Sequence, residues 1–231
     1  MICSIVATDY GGALLRLRGR DIRRPLEPVR VMPAKGGTYM SNKEKILSIT
    51  SAGICIALAF VLSKLKLFEM PMGGSVTPAS VLPIVVFCMA FGPVWGFAVA
   101  IVFACLQLID GYLMTPFQVM LDYILGYACL GITGFAALSA DKRNLISNPL
   151  KRFARAGLKK AIVFTLIAYV ARWICSVLSG VIFYAEYAPE GMNPWIYSMV
   201  YNGSFMAVDC AIAIAVMIVL FTALKGTTKK A

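Results

Sequence analysis

Three ionisable residues, Asp122, Arg172 and Asp209, lie inside long apolar runs of this 231-residue chain. A charged side chain at the centre of a hydrocarbon layer costs about 2.5–3.5 kcal/mol on insertion scales, so each is a candidate for function. Asp122 could hold a cationic ligand, or it could pair with Arg172 and only pin two helices together. For Asp209, which is flanked by small residues, helix packing or solvation at a helix end competes equally with a role in ligand binding.

Polar and aromatic residues accompany these charges. Ser176 follows Arg172 by one helical turn, and Asn202 lies near the start of the last apolar run. The tyrosines expected near the same end of the runs are Tyr184, Tyr187, Tyr197 and Tyr201. Aromatic faces attract cations, and a carboxylate supplies the counter-charge. The set therefore predicts a site for a flat, cationic heteroaromatic molecule, although an interfacial aromatic belt would equally explain Tyr187 and Tyr201.

The elements that must position these residues are membrane-spanning helices. The chain is 60% hydrophobic and 14% charged, whereas ordinary globular proteins are about 45–50% apolar and about 25% charged. Its apolar runs approach the ~20 residues that cross a ~30 Å hydrocarbon core. This composition excludes a soluble enzyme, a disordered chain and, despite a net charge of +11, a nucleic-acid binder.

The pattern predicts an all-α integral membrane protein with six transmembrane helices. Lipid offers no partner for a free backbone N–H or C=O group, so each span should be helical. The expected spans are residues 46–62, 79–91, 93–109, 117–138, 161–184 and 195–224. From Met40 onward, 12 of the 15 basic residues fall on one side of these spans. Loops rich in Lys and Arg stay in the cytoplasm, so both termini are expected there.

The chain lacks the residues usually required for metal binding, for ATP hydrolysis and for enzymatic catalysis. The chain has no His, and its seven Cys show no C-x-x-C spacing, so the sequence predicts neither a metal site nor a cofactor. It contains no P-loop motif and therefore cannot split ATP in the P-loop manner. An intramembrane enzyme would also need an activated nucleophile, and no such pattern is present.

Several strings of residues together form a specific combination. They are Met70-Pro71-Met72-Gly73-Gly74-Ser75-Val76, Leu121-Asp122-Tyr123, Leu178-Ser179-Gly180, Tyr187-Ala188-Pro189-Glu190-Gly191, Trp195-Ile196-Tyr197-Ser198 and Tyr201-Asn202-Gly203. With these strings the chain resembles one family, the thiamine-specific S-components of energy-coupling-factor (ECF) transporters. The resemblance covers essentially residues 40–225.

The resemblance implies a monomeric, multi-pass protein of the bacterial cell membrane that captures thiamine at the outer face and is not an enzyme. Such a protein docks on an energising module of one transmembrane subunit and two ATPases. The residues that the resemblance places at the substrate are Asp122, Tyr123, Arg172, Ser176, Tyr184, Tyr197, Asn202 and Gly74. Among them, Asp122 would answer the thiazolium charge, Tyr184 would stack, and Tyr197 and Asn202 would bond the aminopyrimidine.

Two further points follow from the resemblance. Gly53 and Ala57 look like the stripe of small residues with which these proteins dock on their module, since close helix approach requires small side chains. Ser176 departs from the pattern, because the family usually places a His there. A Ser cannot stack, which leaves open the affinity and the discrimination between thiamine and its phosphates or analogues.

A self-contained secondary carrier, or a membrane scaffold, for another small cationic aromatic ligand is the alternative. Many secondary carriers are built from internal repeats, and residues 40–138 do not resemble residues 139–231. That difference favours the ECF reading.

Residues 1–39 differ from residues 40–231, which we expect to form the membrane substrate-binding domain. They hold seven of the 22 basic residues, and Met40 precedes the first apolar run as a start residue would. Lys35-Gly36-Gly37 can be encoded by a ribosome-binding purine tract. Codons for Gly11-Gly12-Ala13, Arg16-Leu17-Arg18 and residues 26–35 can spell parts of a thiamine-pyrophosphate riboswitch. We interpret residues 1–39 as a translated leader; the alternative is a disordered basic arm, and the nucleotide sequence decides between them.

Overall fold

The computed structural model describes residues 41–228; the interpretation of residues 1–39 falls outside them. Five helical segments in this range are long and apolar enough to cross a membrane. They are α1 (Asn42–Lys64), the segment Pro93–Asp110, the segment Pro116–Ala136, α8 (Leu158–Phe183) and α9 (Pro194–Thr228). Pro116–Ala136 corresponds to the fourth of the six expected spans and is called the fourth segment below. The expectation of an all-α membrane protein is confirmed in this coarser form. A small antiparallel hairpin pairs β1 (Phe68–Glu69) with β2 (Ser75–Val76) between α1 and the next helix.

The segment expected as the second span forms a shorter helix, α2 (Leu82–Phe91), of ten residues. At 1.5 Å per residue it extends about 15 Å, roughly half of a ~30 Å hydrocarbon core. All ten residues are buried. They pack against α1, against α3 (Pro93–Gln107) and against the end of the fourth long segment. α2 therefore lies in the centre of the protein, and its apolar sequence serves the protein core.

Proline and glycine mark the helix boundaries. Gly92 has a φ of 91° between α2 and α3, a backbone conformation that a side chain would strain, and Pro93 follows at the first turn of α3. A 3-10 turn, Leu108–Asp110, extends α3. Side-chain caps begin two other helices: the hydroxyl of Ser41 accepts from the Glu44 N–H of α1, and Thr115 accepts from the Gln118 N–H.

The fourth long segment is not a uniform α-helix. It begins as α4 (Pro116–Val119), continues as a π-helix over Met120–Leu125, returns to α5 (Gly126–Ala128) and ends as a 3-10 helix over Cys129–Ala136. Its last part packs closely on α3, because a Cβ on Gly134 would lie 2.5 Å from the Cα of Pro93. Asp122 is thus on a π-helical turn, a geometry that is frequent at functional sites.

Two short helices, α6 (Ala140–Asn144) and α7 (Pro149–Ala156), connect this segment to α8. Arg152 of α7 is only 1% exposed. Its guanidinium forms two hydrogen bonds with the Glu44 carboxylate, at 2.5 and 2.7 Å, and donates to the Ile146 carbonyl at 2.7 Å. The charge pattern groups Arg152 with the solvated basic residues, whereas the structure buries it as the link between α7 and the start of α1.

Replacing Arg152 by Met should leave the Glu44 carboxylate without its charge partner in a largely buried position. Breaking such a pair typically costs about 3–5 kcal/mol, so we expect a clear fall in the thermal unfolding midpoint of the purified protein. Lys151→Met, an exposed neighbour, is the matched control and should change the midpoint little. The double variant Glu44→Gln/Arg152→Met should recover part of the loss; no recovery would mean that the pair does not carry the effect.

Candidate substrate-binding site

A cavity of about 160 Å³ lies among the hairpin, the fourth segment, α8 and α9. All eight residues predicted to contact the substrate line it: Asp122, Tyr123, Arg172, Ser176, Tyr184, Tyr197, Asn202 and Gly74. They come from parts of the chain that are far apart in sequence, and the fold brings them together. Their individual roles stay predictions.

The Asp122 carboxylate accepts hydrogen bonds from two side chains at the same oxygen atom. Its Oδ2 atom accepts hydrogen bonds from Gln118 Nε2 at 2.9 Å and from Ser179 Oγ at 2.6 Å. The Ser176 hydroxyl also lies within hydrogen-bonding reach of the carboxylate, whereas neither Gln118 nor Ser179 donates to the Oδ1 atom. Arg172 is near enough to act on the carboxylate electrostatically, but the two do not form one of the described ion pairs. The carboxylate thus keeps an oxygen that can meet a ligand, which favours the ligand reading over a purely structural pair.

Arg172 instead stacks on an aromatic ring. Its guanidinium carbon lies 4.1 Å from the centre of the Tyr127 ring, a geometry that stabilises a cation in an apolar setting. The Arg172 Nε atom is buried and has no hydrogen-bond partner within the described part of the chain. The cavity therefore has a carboxylate and a guanidinium that do not neutralise each other by direct contact.

Asn202 joins α9 to α8 at the cavity wall. Its Nδ2 atom donates to the carbonyls of Ser198 at 3.0 Å and of Ser176 at 3.3 Å. The two helices approach closely here, since a Cβ on Gly180 would lie 3.0 Å from the Ser198 Cβ. With its donor group engaged by the helices, the amide has its oxygen left to accept from a ligand.

Tyrosines surround the outer part of the cavity. Tyr184 stands 6.1 Å, centre to centre, from both Tyr112 and Tyr187, and Tyr197 stands 6.0 Å from Tyr201. Burial raises the pKa of Tyr184, and the Asp122 charge adds to that effect, so this phenol stays neutral and can donate a hydrogen bond. The Tyr184 ring therefore offers an uncharged aromatic face at neutral pH.

The two tyrosines whose role was open differ from each other. Tyr201 lines the cavity; its hydroxyl accepts from the Gly74 N–H at 3.3 Å and donates to the Pro71 carbonyl. It thereby attaches the hairpin to α9. Tyr187 is 40% exposed and is not part of the cavity wall. Such an exposed position is expected of an aromatic residue at the membrane interface.

Asp209 also lines the cavity, but donors from the protein occupy both of its oxygens. Oδ1 accepts from the Thr77 N–H at 3.2 Å and from Thr77 Oγ1 at 2.9 Å, and Oδ2 accepts from the Tyr169 hydroxyl at 2.7 Å. This arrangement joins α9 to the segment before α2 and to α8. Of the two readings of Asp209, the geometry supports packing.

Sequence reasoning missed other residues of the cavity wall. Gln118 precedes Asp122 by four residues, so helical spacing could have identified it. Ser63, Gln107 and Tyr127 form a chain in which Ser63 Oγ donates to Gln107 Oε1 and Gln107 Nε2 donates to the Tyr127 hydroxyl. No local signal marks that chain, because its members belong to three different segments. Within residues 41–228, no cluster of three His, Cys, Asp or Glu side chains could hold a metal ion.

A family model described as "Thiamine transporter protein (Thia_YuaJ)" matches residues 49–229. The chain belongs to this family. The thiamine transporter ThiT of Bacillus subtilis (strain 168) is 28% identical over 186 residues, which cover 79% of this chain and 94% of that relative. ThiT of Lacticaseibacillus paracasei is 30% identical over 148 residues, covering 61% and 70% of the two chains.

The fold is also similar to a solved structure. ThiT from Listeria monocytogenes superposes with a TM-score of 0.63 at 23% identity, covering 78% of this chain and 97% of that one. The family resemblance inferred from the motifs is confirmed. Family membership and the five long apolar helices together identify a multi-pass membrane transporter protein, so the enzyme reading is excluded.

The two carboxylates should respond differently to neutralisation. Asp209→Asn turns one acceptor into a donor that faces Thr77 or Tyr169, so we expect a loss of about 1–3 kcal/mol in stability. Asp122→Asn can keep both of its hydrogen bonds through the amide oxygen and should lose less than about 0.5 kcal/mol. Thermal unfolding of both purified variants without ligand measures this; a larger loss for Asp122→Asn would contradict the division of roles.

Proposed function

We propose that this protein captures thiamine at the outer face of the membrane and acts as the S-component of an ECF transporter. The observation that carries the proposal is the Asp122 carboxylate in a cavity walled by tyrosines, with Gln118 and Ser179 both bonded to its Oδ2 atom and neither to Oδ1. Thiamine combines a cationic thiazolium with a flat aminopyrimidine. The carboxylate suits the first, and the aromatic wall together with the Asn202 amide suits the second.

The proposed roles follow the chemistry of each side chain. Asp122 supplies the counter-charge, Tyr184 and Tyr123 supply aromatic faces, and Tyr197 and Asn202 bond the polar edge of the aminopyrimidine. A second group helps to shape the site: Arg172, Ser176 and Gly74. Gly74 allows the hairpin to pack closely on α9 at the cavity wall, because a Cβ there would lie 2.9 Å from the Tyr201 hydroxyl and 3.0 Å from the Phe205 ring.

We propose six spans with both termini in the cytoplasm, counting the short helix α2 as the second span. The ion pair between Lys64 and Asp110 joins the ends of α1 and of the 3-10 turn after α3, on the hairpin side. Glu44 and Arg152 are paired at the opposite end of α1. That opposite end also carries the basic connection between the fourth segment and α8, which supports a cytoplasmic position there and an outward-facing cavity.

We further propose that the protein is a monomer that docks, through α1, on an energising module of one transmembrane subunit and two ATPases. Gly53 and Ala57 are both exposed on α1, and apart from the adjoining backbone of its own helix no atom of residues 41–228 lies within 4 Å of a Cβ built on Gly53. Large apolar side chains on the same helix, including Ile54 and Val61, are exposed as well. Such a surface allows a partner helix to approach closely in lipid.

Asp122→Asn tests the substrate. At an effective dielectric constant of about 20, unit charges about 4 Å apart interact by ~4 kcal/mol before desolvation is subtracted. We expect at least ~30-fold weaker thiamine binding, equivalent to ~2 kcal/mol, measured by quenching of tryptophan fluorescence. Glu190→Gln removes a carboxylate from an exposed outer loop and should leave the dissociation constant unchanged. Equal affinities of wild type and Asp122→Asn would show that the carboxylate is structural.

The double variant Gly53→Leu/Ala57→Leu tests docking. The added bulk should hold the partner helix away, so we expect normal thiamine binding and loss of thiamine uptake by cells. Ala211→Leu/Ala215→Leu adds the same bulk at the same spacing on α9, where both alanines are exposed, and should preserve uptake. Uptake by the α1 variant at normal expression would refute this docking face, and uptake in cells without the ATPases would favour the secondary carrier.

A further inference from the structure

Gln118 is a deeply buried polar neighbour of Asp122. It is only 1% exposed, and both ends of its amide are engaged. Its Oε1 atom accepts from the Met114 N–H at 3.3 Å, and its Nε2 atom donates to Asp122 Oδ2 at 2.9 Å. A buried amide is costly unless it is hydrogen-bonded, so these two contacts fix its orientation with the NH₂ group towards the carboxylate.

A second donor reaches the same carboxylate oxygen from another helix. Ser179 of α8 is fully buried, and its Oγ donates to Asp122 Oδ2 at 2.6 Å. The terminal torsion of an aspartate is broad and roughly two-fold, so a carboxylate without directed donors can turn either oxygen towards a ligand. With Gln118 and Ser179 on the same oxygen, the carboxylate is oriented and Oδ1 is the atom that these two donors leave for a ligand; the Ser176 hydroxyl, on the cavity wall, is the further donor within reach of the carboxylate.

The local backbone supports this arrangement. Thr115 accepts from the Gln118 N–H at 3.1 Å and begins α4, which places Gln118 on the first turn. The π-helical turn starts at Met120, between Gln118 and Asp122. A π-helical turn changes the direction of the side chains that follow it, so the position of Asp122 relative to Gln118 belongs to this geometry.

We infer that Gln118, together with Ser179, is a positioning residue that presents one oxygen of Asp122 to the ligand and thereby determines the preference for a positively charged ring over an uncharged ring of the same shape. This inference rests on the proposed binding of thiamine. A charge that is already oriented binds its partner without the cost of ordering. An uncharged ring gains little from the orientation of the carboxylate. Loss of Gln118 or Ser179 should therefore change the ratio of the affinities for the charged and the uncharged ring.

The test compares thiamine with its uncharged analogue, in which carbon replaces the thiazolium nitrogen, on the purified full chain. Gln118→Met and Ser179→Ala should each weaken thiamine binding about 10-fold, in line with the loss of a hydrogen bond to a charged group. Binding of the uncharged analogue should change less than about 3-fold. Ser179→Ala removes a single oxygen and so gives a result even if Gln118→Met folds poorly.

Two further variants separate positioning from packing. Gln107→Met is the matched control: Gln107 lines the same cavity but bonds Ser63 and Tyr127, so any loss should be equal for both ligands and leave their affinity ratio unchanged. In the Asp122→Asn background, Gln118→Met should no longer alter that ratio, because the charge that it positions is gone.

The outcomes are distinct. If wild type binds no thiamine, the proposed function fails. If wild type binds thiamine, but Gln118→Met and Ser179→Ala either bind it as tightly or weaken both ligands by the same factor, the proposed function stands and the positioning role is refuted. A change in the affinity ratio that persists in the Asp122→Asn background would also refute it, because the effect would then not act through the carboxylate.

Discussion

Transferring a carboxylate into the hydrocarbon layer requires hydrogen bonds, yet a carboxylate that is fully satisfied by the protein has nothing left for a ligand. Asp122 meets both demands because Gln118 and Ser179 both donate to Oδ2 and not to Oδ1. Those donors come from different segments, so the position of the carboxylate depends on how the fourth segment packs against α8. The π-helical turn carries Asp122, and the tyrosine wall lines the same cavity.

Asp209 shows the other solution to the same physical problem. Thr77 and Tyr169 occupy both of its oxygens, and the carboxylate becomes a joint between α9, α8 and the chain before α2. This joint and the attachment of the hairpin through Tyr201 fix the cavity from two sides. The structure therefore uses one intramembrane carboxylate to build the site, while the other one is the carboxylate that we propose meets the ligand.

The cost of burying charge explains how much of the site could be predicted. Asp122 and Arg172 are conspicuous as charges in apolar runs, and the motifs around them indicate the family. These two signals were enough to predict eight substrate residues, all of which line one cavity. Gln118 carries no charge and its spacing alone is a weak signal. The burial of Arg152 depends on a partner 108 residues away, Glu44, and no local pattern reports a contact of that separation.

The same reasoning applies to the backbone. Proline and glycine at Gly92-Pro93 predicted the break between α2 and α3, because both residues act locally. The π-helical turn at Met120–Leu125 was not predicted, since its sequence is compatible with an ordinary α-helix and the surrounding packing determines the difference. Local rules thus account for where the helices begin and end, and tertiary contacts account for how the fourth segment departs from regular geometry.

The complete burial of α2 has a consequence for how the protein tolerates different bilayers. Helices that face lipid must match the hydrophobic thickness of the membrane, by tilting or by local deformation of the bilayer. Since all ten residues of α2 are covered by other helices, bilayer thickness does not act on it directly. Thr77 and Ser80, just before α2, line the cavity. The length of α2 can therefore be set by how deep the cavity lies in the protein. Only the surrounding helices, which face lipid, have to match the thickness of the bilayer.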